Sequence, residues 1–279
     1  MPGPMIDAHQ HYWNPTRGDY GWMPMDNVTL ARPWLPSDLA MTLEGHGITH
    51  TVLVQAAPTV EETEYMLGIA DATPSVAGVV GWVDFEDPGH RAHLERLAQH
   101  PKFRGVRPMI QDIPDDDWML RDDVQWGFAA LADLDLTFDA LGFPRHLGNF
   151  HTILTRYPAM RTVVDHCMKP QIRSHSEASF RHWADGMQAI AEDTDAVCKF
   201  SGLVTECDGW SVEKMRPYAE HLFKVFGPRR LMWGSDWPVC QLEASYDEWR
   251  GAAEALTADL SEEDRAAIFG GTAAAFYRI

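Results

Sequence analysis

Residues 5–13 read MIDAHQHYW, an apolar start that runs into two histidines one residue apart. In an extended chain, residues two apart share a face, so a strand over residues 5–9 sends His9 and His11 toward one place. Two imidazoles aimed at one spot suit a metal ion or a polarised substrate oxygen. The fold turns on whether this segment is alone or the first of a series.

It is the first of eight. Runs rich in Val, Ile, Leu and Phe recur at residues 50–55 (HTVLVQ), 76–84 (VAGVVGWVD), 103–110 (FRGVRPMI), 136–141 (LTFDAL), 161–166 (RTVVDH), 197–202 (VCKFSG) and 230–236 (RLMWGSD). Their near-continuous apolarity fits strands covered on both faces. Between them, residues 59–72, 90–99, 124–134, 147–156, 180–192 and 212–226 carry apolar side chains at helical spacing. Eight strands alternating with helices over 279 residues predict one (β/α)8 TIM-barrel domain spanning 1–279, with its chemistry at the C-terminal ends of the strands. A doubly wound open sheet would advertise a glycine-rich phosphate loop, and no GxGxxG or Walker pattern occurs.

Composition narrows the function. Lys and Arg number 23 against 41 Asp and Glu, a net charge of -18 that repels nucleic-acid backbones and anionic membrane surfaces. The longest apolar stretches, such as residues 50–58, are far shorter than a membrane helix requires. A soluble, cytoplasmic protein with a small-molecule substrate is expected, with no nucleic-acid or membrane partner. No periodic stripe marks an oligomer interface. The four cysteines, Cys167, Cys198, Cys207 and Cys240, form no CxxC pair and are expected to be reduced thiols.

The strand ends yield His9 and His11, Gln55, Asp84, Arg107, Asp139, His166, Ser201 and Asp236. His9, His11, His166 and Asp236 would converge at the barrel mouth. Three neutral imidazoles and one carboxylate can hold a zinc-like ion that acidifies water or polarises a carbonyl. Without a metal, the imidazoles would donate to a carbonyl oxygen as it gains charge, and Asp236 would take the proton of an attacking water. Asp236, in GSDWP, also reads as an N-cap for the segment that follows.

Arg107 offers a planar fork for a carboxylate or hydroxyls. Residues 20–25 (YGWMPM), flanked by Trp13 and Trp34, would form an aromatic lid in the long connection after the first strand. Gln55, Asp84, Trp34 and Lys169 complete the expected substrate contacts.

With IDAHQHYW at the first strand, GVRPMIQD at the fourth, VVDHCMKP at the sixth, LMWGSDWPV at the eighth and a closing IFGGTAAAFYRI, the chain resembles the amidohydrolase superfamily. Within it, the chain looks like the amidohydrolase 2 branch and its group of sugar-acid and 2-pyrone-4,6-dicarboxylate lactonases. The resemblance implies hydrolysis of a small lactone, a role in carbohydrate metabolism, His9 and His11 as the HxH pair, His166 as the sixth-strand histidine and Asp236 as the acid that activates water. Many members bridge two ions with a carboxylated lysine or a glutamate on the fourth strand. FRGVRPMI offers neither, so one divalent cation, zinc above all, or none is expected. A decarboxylase of the same branch, acting on an unsaturated or aromatic acid, is the alternative, and a barrel that only binds a metabolite is a third reading.

Overall fold

The computed structural model describes residues 3–279. Its eight strands are β1 (Ile6–Gln10), β2 (His50–Val54), β3 (Val76–Gly81), β4 (Phe103–Val106), β5 (Thr137–Ala140), β6 (Arg161–Val164), β7 (Val197–Phe200) and β8 (Leu231–Trp233). They form one parallel sheet in sequence order. The sheet closes just beyond the last strand, where the Asp236 N–H donates to His9 O at 2.8 Å and the His11 N–H to Trp237 O at 2.7 Å. This closure sets Asp236 beside the histidines of β1.

The helices are α1 (Pro36–Gly45), α2 (Val60–Ala72), α3 (Arg91–Leu97), α4 (Gln125–Asp133), α5 (Leu147–Arg156), α6 (Glu177–Asp193), α7 (Val212–Val225), α8 (Tyr246–Leu256), α9 (Glu262–Ala266) and α10 (Thr272–Tyr277). Thr59, Ser176, Ser211 and Ser245 start α2, α6, α7 and α8 by accepting an N–H three residues on, which fixes where those helices begin. Alternate strand residues divide the core: Leu53 joins the large cluster under the helices, whereas Val52 and Val54 join Ile6, Ala8, Val80, Val163, Met232 and Tyr277. Tyr277 reaches this second cluster from α10. Among the described residues, no helix is long and apolar enough to cross a membrane.

The expected strand order holds, but β2 to β8 are each shorter than their apolar runs, and at β6 and β8 the difference bears on the site. The sixth ends at Val164, two residues before His166, and the eighth at Trp233, three before Asp236. Both residues have positive φ, 50° at His166 and 56° at Asp236, outside the extended range. Asp236 accepts the Cys240 N–H with its backbone carbonyl, and its carboxylate turns to the histidines instead of capping a helix.

Glu62 of α2 is buried without a basic partner. Its carboxyl accepts the N–H of Ala56 at 3.1 and 3.0 Å and of Ala57 at 2.8 Å, pinning the β2–α2 loop that borders the site. Burial pushes its pKa from 4.5 up to about 8, against the opposing pull of those N–H groups. The folded-state value lies above the unfolded one, so the group's contribution is whole below about pH 4.5 and fades as pH climbs through about 8. Glu62→Gln keeps an acceptor and removes the proton. Its Tm should match wild type at pH 5 and exceed it by roughly 5 °C or more at pH 9. A Tm difference that does not change with pH would refute a buried, proton-holding Glu62.

Candidate active site

His9 lies at the inner end of β1, where the register against β2 shifts between Asp7 and Gln10. Such an irregularity re-aims side chains. Behind it, the Asp7 carboxylate accepts the N–H groups of His9 at 3.2 Å and Ser235 at 2.8 Å, stapling β1 to the segment after β8. The His9 and His11 ring centres lie 4.9 Å apart, and those of His9 and His166 4.3 Å apart. Asp236 Oδ1 stands 3.3 Å from His11 Nε2, 3.7 Å from His9 Nε2 and 3.8 Å from His166 Nε2. The four expected residues therefore meet at one point.

His166 sits on an unusual support. From His166 to Lys169 four consecutive non-glycine residues have φ between 47° and 58°, a left-handed turn whose cost is roughly 1–2 kcal/mol per residue. The turn is held by Lys169 N–H to His166 O at 2.8 Å, Trp183 Nε1–H to Cys167 O at 2.7 Å and Cys167 S–H to Lys199 O at 3.2 Å. His166 Nδ1 meets Ser201 Oγ at 2.9 Å, which fixes the ring. Strain held by surrounding bonds next to a reactive group is a common mark of a functional site.

Burial drives the electrostatics. It pushes His166 down to about 4, against the pull of Asp236 and Asp165, and holds His9 and His11 below the usual histidine value. All three rings are neutral at physiological pH. Burial works the other way on Asp236, but His166, the His11 hydrogen bond and His9 outweigh it and hold the carboxyl well below the usual carboxylate range. The site is thus one carboxylate facing three neutral imidazoles.

Arg107, at the end of β4, is a buried part of this centre. Its Nη2 donates to Gln55 O and, at 3.3 Å, to Gln55 Oε1, while Nη1 lies 3.3 Å from both Asp165 Oδ2 and His9 Nε2. Gln55 Nε2 returns a bond to Arg107 O at 2.8 Å. Gln55 therefore positions Arg107 and does not line the pocket.

The pocket, about 120 Å3, is walled by His11, Arg107, His166 and Asp236 with Lys169, and by an apolar side that includes Trp13 and Trp22. The aromatic loop does cover the site, through Trp22. Trp34 does not share this: it packs edge-on against Trp237 at 4.9 Å, and its indole N–H bonds Thr29 O. Asp84 lines a neighbouring cavity of about 470 Å3 on the other side of Trp22 and Met109. Lys169 is at the pocket, donating to Gln111 Oε1 at 2.6 Å.

The largest addition to the sequence-derived set lies beneath the histidines. Lys199, in the middle of β7, is fully buried and meets Asp139 Oδ2 at 2.6 Å, Asp165 Oδ1 at 2.9 Å and His9 Nδ1 at 3.1 Å. Tyr277 donates to Asp139 Oδ2 at 2.7 Å. The signal was present in VCKFSG and RTVVDH: a lysine and an aspartate inside strands buried on both faces must be paired.

The donor set fits a divalent ion. Ligands about 2.0–2.1 Å from a tetrahedral zinc stand roughly 3.3–3.4 Å apart. His9 Nε2 and His11 Nε2 are 3.2 Å apart, and Asp236 Oδ1 completes a triangle at 3.3 and 3.7 Å. The His11 Nδ1–H faces Val54 O at 2.7 Å, leaving its Nε2 lone pair turned toward the Asp236 carboxylate, an arrangement that calls for a cation or a proton between them.

The family model described as Amidohydrolase matches residues 6–279. An L-fucono-1,5-lactonase from Burkholderia ambifaria is 41% identical over 280 residues, covering 98% of this chain and 95% of that protein. A second L-fucono-1,5-lactonase, from Burkholderia multivorans, is 36% identical over 98% of this chain and 96% of its own. The crystal structure of a Burkholderia multivorans amidohydrolase with bound zinc superposes with a TM-score of 0.91 at 35% identity, over 99% of both chains.

Proposed function

The chain belongs to the amidohydrolase family, and from that premise we propose that its pocket opens aldonolactones of the L-fucono-1,5-lactone kind, with Asp236 as the base. It is a lactone-hydrolysing enzyme acting on sugar-acid lactones. The observation that carries the residue roles is a single ionised carboxylate facing three neutral imidazoles and a buried guanidinium.

Water seated against Asp236 Oδ1 gives up its proton there as its oxygen bonds to the lactone carbonyl carbon. The carbonyl oxygen gains the negative charge, and Arg107 with the His166 imidazole, whose Nδ1 can accept from Ser201 Oγ and leave its N–H on Nε2, stabilises it in a site sheltered from solvent. When the ring C–O bond breaks, the proton held on Asp236 passes to the leaving alkoxide, and the product is a hydroxy acid. Trp13, Trp22 and Met109 flank the ring, and Lys169 with Gln111 meets its hydroxyls. A divalent ion held by His9, His11, His166 and Asp236 supplies Lewis-acid polarisation of the carbonyl and a more acidic water when bound.

The test is acid release at near-neutral pH from L-fucono-1,5-lactone and a panel of aldonolactones, with chelator-treated and zinc-supplemented enzyme in parallel. Fast acid release from a sugar lactone is expected. No acid release in either metal condition, with carbon dioxide evolved from an aromatic acid instead, would overturn the proposal in favour of decarboxylation.

A further inference from the structure

Across Trp22 and Met109 from the catalytic pocket lies the cavity of about 470 Å3 that Asp84 lines. Trp22 and Met109 wall both spaces, so a molecule seated in one is a side chain's width from the other. The catalytic pocket, at about 120 Å3, is smaller than the roughly 300–1,000 Å3 usual for small-molecule sites, whereas the cavity beside it falls within that range. Trp22 is tied by its indole N–H to Ala56 O yet is 38% exposed, so the partition is anchored and has a rim at the surface.

The two spaces differ in chemistry. The catalytic pocket carries Arg107 and Lys169, whereas the cavity has four acidic side chains, Asp19, Asp84, Glu86 and Asp112, and no basic one. Such a wall repels a sugar acid or a phosphate. Its aromatic members, Trp22, Trp82 and Trp118, offer broad apolar surface with a polar edge, which suits a ring that is apolar on its faces and hydroxylated at its rim. Two wall residues also carry a polar atom that the protein leaves unmatched. Trp118 is 3% exposed, and its indole N–H has no acceptor. Asp19 Oδ2 accepts from Arg17 at 2.8 Å and Thr59 at 3.0 Å, while its buried Oδ1 has no donor. An organic cation would suit the carboxylates and the aromatic faces, but it offers the Trp118 N–H nothing to bond. A hydroxyl both donates and accepts, so a neutral polyol answers both atoms.

From these observations we infer that the cavity is a subsite for a second, neutral sugar ring, and that the substrates include aldonolactones bearing a glycosyl substituent. The lactone ring lies at the histidines, the glycosidic link passes over the Trp22 rim, and the glycosyl ring rests on the tryptophans with its hydroxyls toward the acidic wall. The wall also gives the substrate a direction: the carboxylate formed on ring opening is repelled from the cavity and stays beside Arg107 and Lys169. The substrate assignment rests on lactone opening in the catalytic pocket, whereas the binding of a neutral ring in the cavity does not.

Two measurements therefore separate the readings. The first needs no reaction: calorimetric titration of the protein with cellobiose and with glucose. Cellobiose should bind about tenfold more tightly or better, the worth of one or two well-made hydrogen bonds. Trp118→Phe, which keeps a ring and deletes the N–H, and Trp82→Ala should each bring cellobiose down toward glucose and leave glucose unchanged. The second is kcat/KM for cellobiono-1,5-lactone against glucono-1,5-lactone. The wild type should favour the larger lactone by a similar factor, and the two variants should lose that preference while opening gluconolactone at the wild-type rate. Equal affinity for cellobiose and glucose overturns the subsite, as does a preference that survives both variants. A binding preference without hydrolysis of either lactone leaves the subsite standing and refutes the lactone reading instead. If Trp118→Phe does not fold, Trp82→Ala decides alone.

Discussion

Asp236→Asn is expected to lower kcat/KM for lactone opening by about 10^3-fold, within the 10^2–10^4 range of a positioned proton acceptor, or roughly 4 kcal/mol of transition-state stabilisation. The substitution is nearly isosteric, and it leaves the backbone bond from residue 236 to His9 O untouched. Asparagine also tolerates the left-handed conformation that position 236 adopts, at φ 56°. What disappears is the negative charge and the site that accepts the water's proton. Tm should stay within a few degrees of wild type, or fall slightly, because the surrounding imidazoles favour the ionised carboxylate in the folded state. The paired measurement is a steady-state lactone assay alongside a thermal melt. A folded Asp236→Asn enzyme that keeps a tenth or more of its activity would show that the proton goes elsewhere.

Gly105→Ala should be the most damaging single methyl added to a glycine of the eight strands. Gly105 pairs with Thr137 across β4 and β5. A Cβ added there would lie 1.9 Å from Thr137 Oγ1 and 2.4 Å from the Thr137 carbonyl oxygen. The hydroxyl can rotate, but the carbonyl belongs to the neighbouring strand and cannot withdraw without breaking the ladder. Thr137 also bonds Asp139, so the displacement reaches the Lys199 cluster. A loss of more than about 4 kcal/mol is expected, seen as a Tm drop of roughly 8 °C or more, or as insoluble protein. Adding Thr137→Ala should rescue only part of this, because the backbone oxygen remains. A soluble Gly105→Ala protein melting within 2 °C of wild type would mean that the sheet yields far more readily than its hydrogen bonding implies.

Much of the molecule was legible in the chain. The eight apolar runs appear as the eight strands in order, and the helices fall between them, because burial on both faces and helical spacing are local patterns. The HxH pair, His166 and Asp236 were found for the same reason: each follows the end of a buried run, where a barrel presents its side chains. Gln55 and Asp84 share that placement in sequence, and Trp34 flanks the aromatic loop, yet all three sit away from the pocket, and spacing alone did not separate the first two from Arg107. Gln55 differs only because the Arg107 side chain folds back onto it.

What the sequence by itself determined is the barrel, the set of titratable groups at its mouth and, through its resemblance, lactone chemistry. What only the tertiary structure decided is how those groups are wired. Lys199, Asp139, Asp165 and Tyr277 come from four separate elements and are ordinary charged or polar residues until closure of the sheet drives them into one water-free space, where each charge must find a partner. The left-handed turn from His166 to Lys169 has no glycine to announce it, because packing and hydrogen bonds from β7 and α6 impose that backbone from outside the segment. Such long-range constraints have no period in the chain, and they set which charges surround His9 and where His166 points.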